Sequence, residues 1–327
     1  MTKVSSLQAA ALMLCFTLTR LISYRSEGTS LAVTAAAELA ACIIMFAVCA
    51  AASKLPKAKG AAAVTGCAAA GAWVLAALTL LFTDLAGSMQ YSFPDFYSSG
   101  AMIAAFAAAA AYCASMGLSG CARAACAAVI GAAAALALMI GGASGGLSLD
   151  RLHFAVPDKG EQFGRQLLTA LLRSPELPLF IALSRRGIDR PVRAAGALFS
   201  ARAVLWTALP LVCTAVLGDH SLMGQPVWSL AAYSKTSLIE RFDAIVLLVW
   251  VLAALLAAAA LTVCLHDCIE GIRPGAGRLS LPAVIIPAGV SAALMYGSAG
   301  RPPELFYALA LAVGLIGALL MGGGKQA

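Results

Sequence analysis

Long apolar runs separated by short polar or charged stretches recur along the whole chain. At about 20 apolar residues per bilayer crossing, the pattern predicts ten spans. They fall over roughly 7–24, 30–53, 60–84, 97–116, 122–142, 163–184, 194–217, 243–265, 281–298 and 303–321. Spans two to five are rich in alanine and glycine, and small faces let helix backbones approach closely in lipid. Five spans precede the long connection 143–162 and five follow it. An odd number per half sends the second half into the membrane from the opposite side, the geometry of a 5+5 inverted repeat. The expectation is therefore one all-α polytopic membrane domain over 1–327, with a first repeat of about 7–142 and a second of about 163–321.

One span breaks the pattern. Between Phe163 and Arg186 the apolar run is interrupted by Arg173-Ser174-Pro175-Glu176-Leu177-Pro178. Pro175 cannot donate to the Leu171 carbonyl and Pro178 cannot donate to that of Ser174, at a cost of roughly 3 kcal/mol each in a regular helix. Arg173 and Glu176 add roughly 2.5–3.5 kcal/mol each at the membrane centre. Irregular backbone at that depth is tolerated where it is buried in protein or lines a polar cavity, and broken helices build the midplane sites of secondary transporters. The chain is thus expected to carry a broken helix 6. The plainer alternative is a proline kink with an internal Arg–Glu pair. In the broken-helix reading, Arg173, Ser174, Pro175, Glu176 and Pro178 form the ligand-binding stretch. Half-helix ends suit the two ends of a zwitterion. Glu176 would hold an ammonium or a coupled proton, and Arg173 would pair with Glu176 or with a carboxylate. Span one occupies the equivalent place in the first repeat and contributes Thr17, although no glycine or proline unwinds it. Arg20, about one turn from its outer end, is expected to snorkel to the interface.

Two further charges lie deep. Glu38 and Arg202 sit about eight residues inside their spans, roughly 12 Å at helical rise. Charges at that depth face the bundle or a wet cavity and find a partner, so structural pairing and a ligand role both stand. Asp243 opens a helix, where the dipole favours a carboxylate.

Composition narrows the class. The chain has 327 residues, of which 61% are hydrophobic and 11% charged, more apolar sequence than a soluble domain can hide. Net charge is +7, but the basic residues lie between spans, so they speak to orientation and exclude a nucleic-acid role. Lys3, Lys54, Lys57, Lys59, Arg123, Arg185, Arg186, Arg190, Arg193, Arg273, Arg278 and Lys325 share one side. Arg25, Arg151, Lys159, Arg165, Lys235, Arg241 and Arg301 share the other. The larger group predicts both termini in the cytoplasm. The apolar run after Lys3 mimics a signal peptide, but no small-x-small site follows, so a retained first span is expected. The ten cysteines show no CxxC or Cys/His spacing. Cys264-Leu-His266-Asp267-Cys268 comes nearest to a metal site and reads better as a helix end at the interface. No metal and no cofactor are expected. Nothing resembles a phosphate loop or a nucleophilic triad, so no enzyme is expected.

Two stretches carry a family resemblance. Ser237-Leu-Ile-Glu240-Arg241-Phe242-Asp243-Ala244, leading to Trp250, resembles the start of the eighth span of spore germination permeases, the B subunits of GerA-type germinant receptors. Ser115-Met-Gly117-Leu118 followed by Arg123 is similar to that family's link between spans four and five. Gln8, Glu176 and Gly218 also fall where the family tends to place them. The resemblance implies a member of the amino acid–polyamine–organocation superfamily with a leucine-transporter-like fold. It implies a receptor subunit in the spore inner membrane that binds a small polar nutrient such as an amino acid and acts with A and C subunits. The alternative is an ordinary amino-acid permease in the plasma membrane. The chain departs from the family in its shorter length, its unbroken span one and its alanine content.

Overall fold

The computed structural model describes residues 4–24, 26–27, 31–56, 58–92, 99–152, 160–185, 187–218, 223–235, 242–296 and 304–321. They form an all-helical bundle of α1 (Ser6–Ile22), α2 (Leu31–Ala52), α3 (Ala61–Ser92), α4 (Ser99–Ser115), α5 (Gly117–Ala143), α6 (Gly160–Leu172), α7 (Glu176–Ser184), α8 (Pro191–Leu217), α9 (Pro226–Tyr233), α10 (Phe242–Ile272), α11 (Ser280–Ala283), α12 (Ile285–Tyr296) and α13 (Glu304–Leu320). Six stretches of helix are long and apolar enough to cross a membrane, or seven if α6 and α7 count as one bent span. Three shorter apolar helices accompany them, coinciding with α1, α4 and α13.

Helix α1 is the centre of the bundle. A capping box starts it: Ser5 Oγ accepts from Gln8 N at 3.3 Å, and Gln8 Oε1 accepts from Ser5 N at 3.2 Å. Gln8, one of the positions of the family resemblance, thus has a local task. With no glycine or proline, α1 runs unbroken, buried on nearly every face, and packs against α5, α8 and α10. A helix apolar all round belongs in the interior.

The remaining helices arrange themselves about this one. Helix α2 packs on α6 and α8, α3 on α10, α12 and α13, and α10 also on α4 and α5. Small residues set the closest approach. A Cβ at Gly317 would overlap the backbone of Ala70, one at Gly66 the backbone of Leu320, and one at Gly314 the ring of Trp73. Helices α3 and α13 therefore touch along a strip that admits no side chain on these glycines.

The expected span six is two helices, bent by 41° at the intervening residues. Its break is narrower than the two prolines imply. Leu171 and Ser174 keep their carbonyls occupied by i+3 donors, Ser174 N and Leu177 N, each at 3.3 Å. These carbonyls, expected to be open, are consumed because the chain tightens by one residue where proline withholds its N–H. Pro178 breaks nothing, since it sits in the first turn of α7, where an N–H has no intrahelical acceptor. The carbonyl actually released is that of Ala170, whose usual donor, Ser174 N, has moved to Leu171.

Other boundaries also move. Only Met116 separates α4 from α5, with Gly117 at φ 73°, so Arg123 lies in the second turn of α5 and not in the connection. Helix α10 continues to Ile272, which puts Cys264–Cys268 inside a helix rather than at its end. In its last turn Glu270 accepts from Gly275 N at 2.8 Å and Gly277 N at 2.9 Å, closing the turn that follows. Expected span nine is divided at Val284 into α11 and α12. Helix α8 ends at Leu217 where Gly218, at φ 58°, takes a conformation that side chains disfavour. Its last carbonyls are met by residues 144–152. Ser148 N donates to Ala215 O at 3.0 Å, and Arg151 Nη1 donates to Val216 O. Two short strand contacts complete the frame: Val4 bridges Ile188 in parallel, and Ser26–Glu27 pairs with Met223–Gly224.

Candidate functional site

The bend between α6 and α7 opens onto a buried ionic centre drawn from four helices. Arg20 on α1 donates from Nη2 to Glu38 Oε1 on α2 at 2.6 Å. Arg202 on α8 donates from Nη2 to Glu38 Oε2 at 2.7 Å. Arg202 Nη1 lies 3.2 Å from Glu176 Oε1 at the start of α7. Thr17 Oγ1 on α1 donates to the same Glu176 oxygen at 3.1 Å. Two arginines and two glutamates so alternate in a chain of opposite charges. Arg202, Glu38 and Glu176 are closed off from the surface and Arg20 keeps a 20% exposed side chain.

Ser174 is the hinge of this centre. Its hydroxyl accepts from Arg202 Nη2 at 2.9 Å and Arg20 Nη1 at 3.3 Å, and donates to the released Ala170 carbonyl. Arg20 Nη1 donates to that carbonyl as well, at 3.3 Å. The acceptor exposed by Pro175 is therefore met by a guanidinium and a hydroxyl. This is how a helix can stop at membrane depth without stranding its backbone.

Above the ions stands an aromatic group. The Arg20 guanidinium carbon lies 5.2 Å from the Trp206 ring centre. Tyr24 meets Trp206 edge-on at 5.4 Å and reaches Thr34 Oγ1 at 3.1 Å. Trp250 donates to Ser23 Oγ at 2.8 Å and meets Trp228 edge-on at 6.1 Å.

The residues singled out from the sequence divide. Thr17, Ser174, Glu176, Glu38 and Arg202 converge. Arg173 does not join them: its guanidinium lies over Tyr307 of α13 at 5.1 Å, while Glu176 pairs with Arg202. Pro175 shapes the break, and Pro178 lies in the first turn of α7. Arg20 does not snorkel, because Glu38 offers it a carboxylate one hydrogen bond away. Arg123 is exposed on α5, its Nε donating to Ser119 O at 3.3 Å. Asp243 lies in the first turn of α10, half-buried, and Arg241 falls outside the described residues. Trp206 and Tyr307 carried a signal that sequence reading passed over. Trp206 follows Arg202 by one turn on the same helix face.

Several buried polar atoms have no hydrogen-bond partner among the described residues. In this centre they are Glu176 Oε2, Arg202 Nε and Nη1, and Trp206 Nε1. Nη1 faces Glu176 as an ion but outside hydrogen-bonding alignment. A buried unpaired group costs about 1–3 kcal/mol, which sets these atoms apart from the otherwise satisfied centre. No group of three or more metal-ligating side chains gathers among the described residues.

Apolar helices of spanning length around a buried ionic centre make this a multi-pass helical membrane protein. No protein-family model matches the chain, and no curated protein matches it.

Proposed function

We propose that the protein is a ten-span membrane protein of transporter-like fold that binds a small polar nutrient, such as an amino acid, at the α6–α7 break. The observation that carries this reading is the broken span itself, beside which Glu176 Oε2 and Arg202 Nε are buried without a hydrogen-bond partner among the described residues. Counting the bent pair as one span and α11–α12 as another gives ten crossings, with both termini in the cytoplasm by the basic-residue rule.

Packing supports an inverted repeat. Pairing α1 with α6–α7, α2 with α8, α3 with α10, α4 with α11–α12 and α5 with α13 maps the main contacts onto one another. Contact α1–α8 answers to α2–α6, α3–α13 to α5–α10, α4–α10 to α3–α12, and α1–α5 to α7–α13. The two longest helices, α3 with 32 residues and α10 with 31, are also a pair. One contact departs: α1 packs on α10, whereas α6–α7 makes no comparable contact with α3.

The resemblance of Glu240–Trp250 and Ser115–Arg123 to spore germination permeases makes the protein the membrane-embedded B subunit of a germinant receptor, with A and C subunits as partners and the spore inner membrane as its place. Ligand-induced thermal stabilisation of the purified chain, across a panel of amino acids, sugars and nucleosides, tests the site. Pro175→Ala should keep the fold and lose the stabilisation; equal stabilisation of parent and variant overturns the reading. Co-purification of a tagged chain from spores tests the assembly. Recovery of the chain alone, with uptake of labelled amino acid into vesicles, makes it a permease instead.

A further inference from the structure

A buried donor also lacks a partner at the other end of α7. We propose that Arg185, with Lys54 and Lys59 of the α2–α3 link, forms a binding site for the phosphate of an anionic lipid headgroup. This site is separate from the α6–α7 break and does not depend on what binds there.

Arg185 closes α7, its backbone N–H donating to Ile181 O at 3.3 Å. Its Nη1 donates to Pro56 O of the α2–α3 link, also at 3.3 Å. The residue is only 5% exposed, and its Nε is buried without a hydrogen-bond partner among the described residues. Nη2 has no partner among them either, but it is not sealed from the surface. Nη1 lies on the Cδ side of a guanidinium, so Nε and Nη2 present their N–H groups together along one edge. The bond to Pro56 thus anchors one side of the group and leaves that paired edge open. Such an edge takes two oxygens of one anion. No carboxylate pairs with Arg185 among the described residues. Burial lowers its pKa, and no neighbouring acid raises it back.

Two links meet at this contact. The first carries Lys54, half-buried, and Lys59, exposed, on either side of Pro56. The second leads to α8, which opens at Arg190 without a side-chain cap and has Arg193 in its first turn. Lys54, Lys59, Arg185, Arg190 and Arg193 therefore collect at one end of the bundle. The single acid on these links, Asp189, is exposed and forms no ion pair among the described residues. An unbalanced group of cations favours an anion. Apolar side chains stand next to them in the chain, Leu55 at 51% exposed beside Lys54 and Val192 at 43% beside Arg193. The links join helices of spanning length, α2, α3 and α8, whose ends lie at headgroup depth. Cationic and apolar groups offered together there suit a lipid, in which phosphate and acyl chains are joined. A free phosphate would engage the cations alone.

Thermal unfolding of the full chain in a neutral detergent, doped with phosphatidylglycerol or with phosphatidylcholine at equal mole fraction, tests the site. Phosphatidylglycerol should raise the melting temperature and phosphatidylcholine should not. Inorganic phosphate at the same concentration, without lipid, should leave it unchanged. Arg185→Lys is the decisive variant. It keeps the charge and a donor for Pro56 O but loses the paired edge, so the phosphatidylglycerol needed for half the shift should rise about tenfold. A merely structural arginine, or a basic face acting through charge alone, predicts no such change. Where Arg185→Lys does not fold, Lys54→Gln with Lys59→Gln decides: it should lose at least about tenfold, and Arg123→Gln with Arg273→Gln, two cations outside these links, should lose little. Equal losses in the two double variants overturn the site. So does the absence of a shift with phosphatidylglycerol, an equal shift with phosphatidylcholine, or an equal response of parent and Arg185→Lys. A shift with inorganic phosphate as large as with phosphatidylglycerol overturns the lipid as its occupant.

Discussion

Arg202 has no contact with water, and its charge is held by Glu38 and Glu176 alone. Removing one member of a buried pair leaves the other uncompensated, which costs about 3–5 kcal/mol. Arg202→Leu should therefore lower the melting temperature in detergent sharply. Arg20→Leu should cost less, since a 20% exposed side chain already shares its charge with solvent. Equal losses in the two variants would show that depth does not rank these charges. At this scale the sequence was informative about which residues are unusual, because a glutamate and an arginine deep within apolar runs have few bland explanations. It was silent about partners. Glu38 and Arg202 lie 164 positions apart, and no local pattern relates them. Arg20 was misread for the same reason: a helix-end arginine snorkels unless a carboxylate from another helix reaches it first.

Helix breaks follow from where each proline falls in its turn. Pro175 withholds a donor from a carbonyl within α6, whereas Pro178 falls at a position whose N–H would be idle. Pro178→Ala should leave stability within about 0.5 kcal/mol, like a change that touches no structural feature. Pro175→Ala should hold or raise it, by up to the roughly 3 kcal/mol that an interior proline costs. Paired melting curves check both. A larger effect from Pro178 would place the hinge one turn later than it lies here. The close strip between α3 and α13 carries a third expectation. Gly317→Leu drives a side chain into the Ala70 backbone and should cost at least the 1–3 kcal/mol of core overpacking. That cost would show as loss of folded protein in size-exclusion chromatography. The alanine and glycine content announced tight packing in general. Which helices would meet was not legible, since small residues are as common on faces that point to lipid.

Across the molecule, hydropathy placed nearly every apolar helix within a few residues. Its errors were systematic. Helices α3 and α10, with 32 and 31 residues, outrun the expected spans because continuing a helix satisfies its backbone whether or not lipid surrounds it. At helical rise each is about 47 Å long, against a hydrocarbon core of about 30 Å, so both tilt or project beyond it. The small helix α9 lay hidden in what read as a plain loop, though Pro226 at its first position is a helix-start signal. Orientation remains a matter of charge. A reporter active only in the cytoplasm, fused after Ala327, should give signal, and activity of a periplasm-type reporter there would count against ten crossings.

Helices α1 and α8 run in the same direction and are stitched at both ends, Val4 to Ile188 at one and Ser26 to Gly224 at the other. Such a pair behaves as a ladder with its top and bottom rungs in place: neither rail can slide along the other without breaking a rung. Any rearrangement that opens the buried ionic centre without breaking a rung carries both rails together, past the 41° elbow beside them. A crosslink between the rails should then leave the melting temperature unchanged or raise it, whereas cutting both rungs should let the rails shift and lower it.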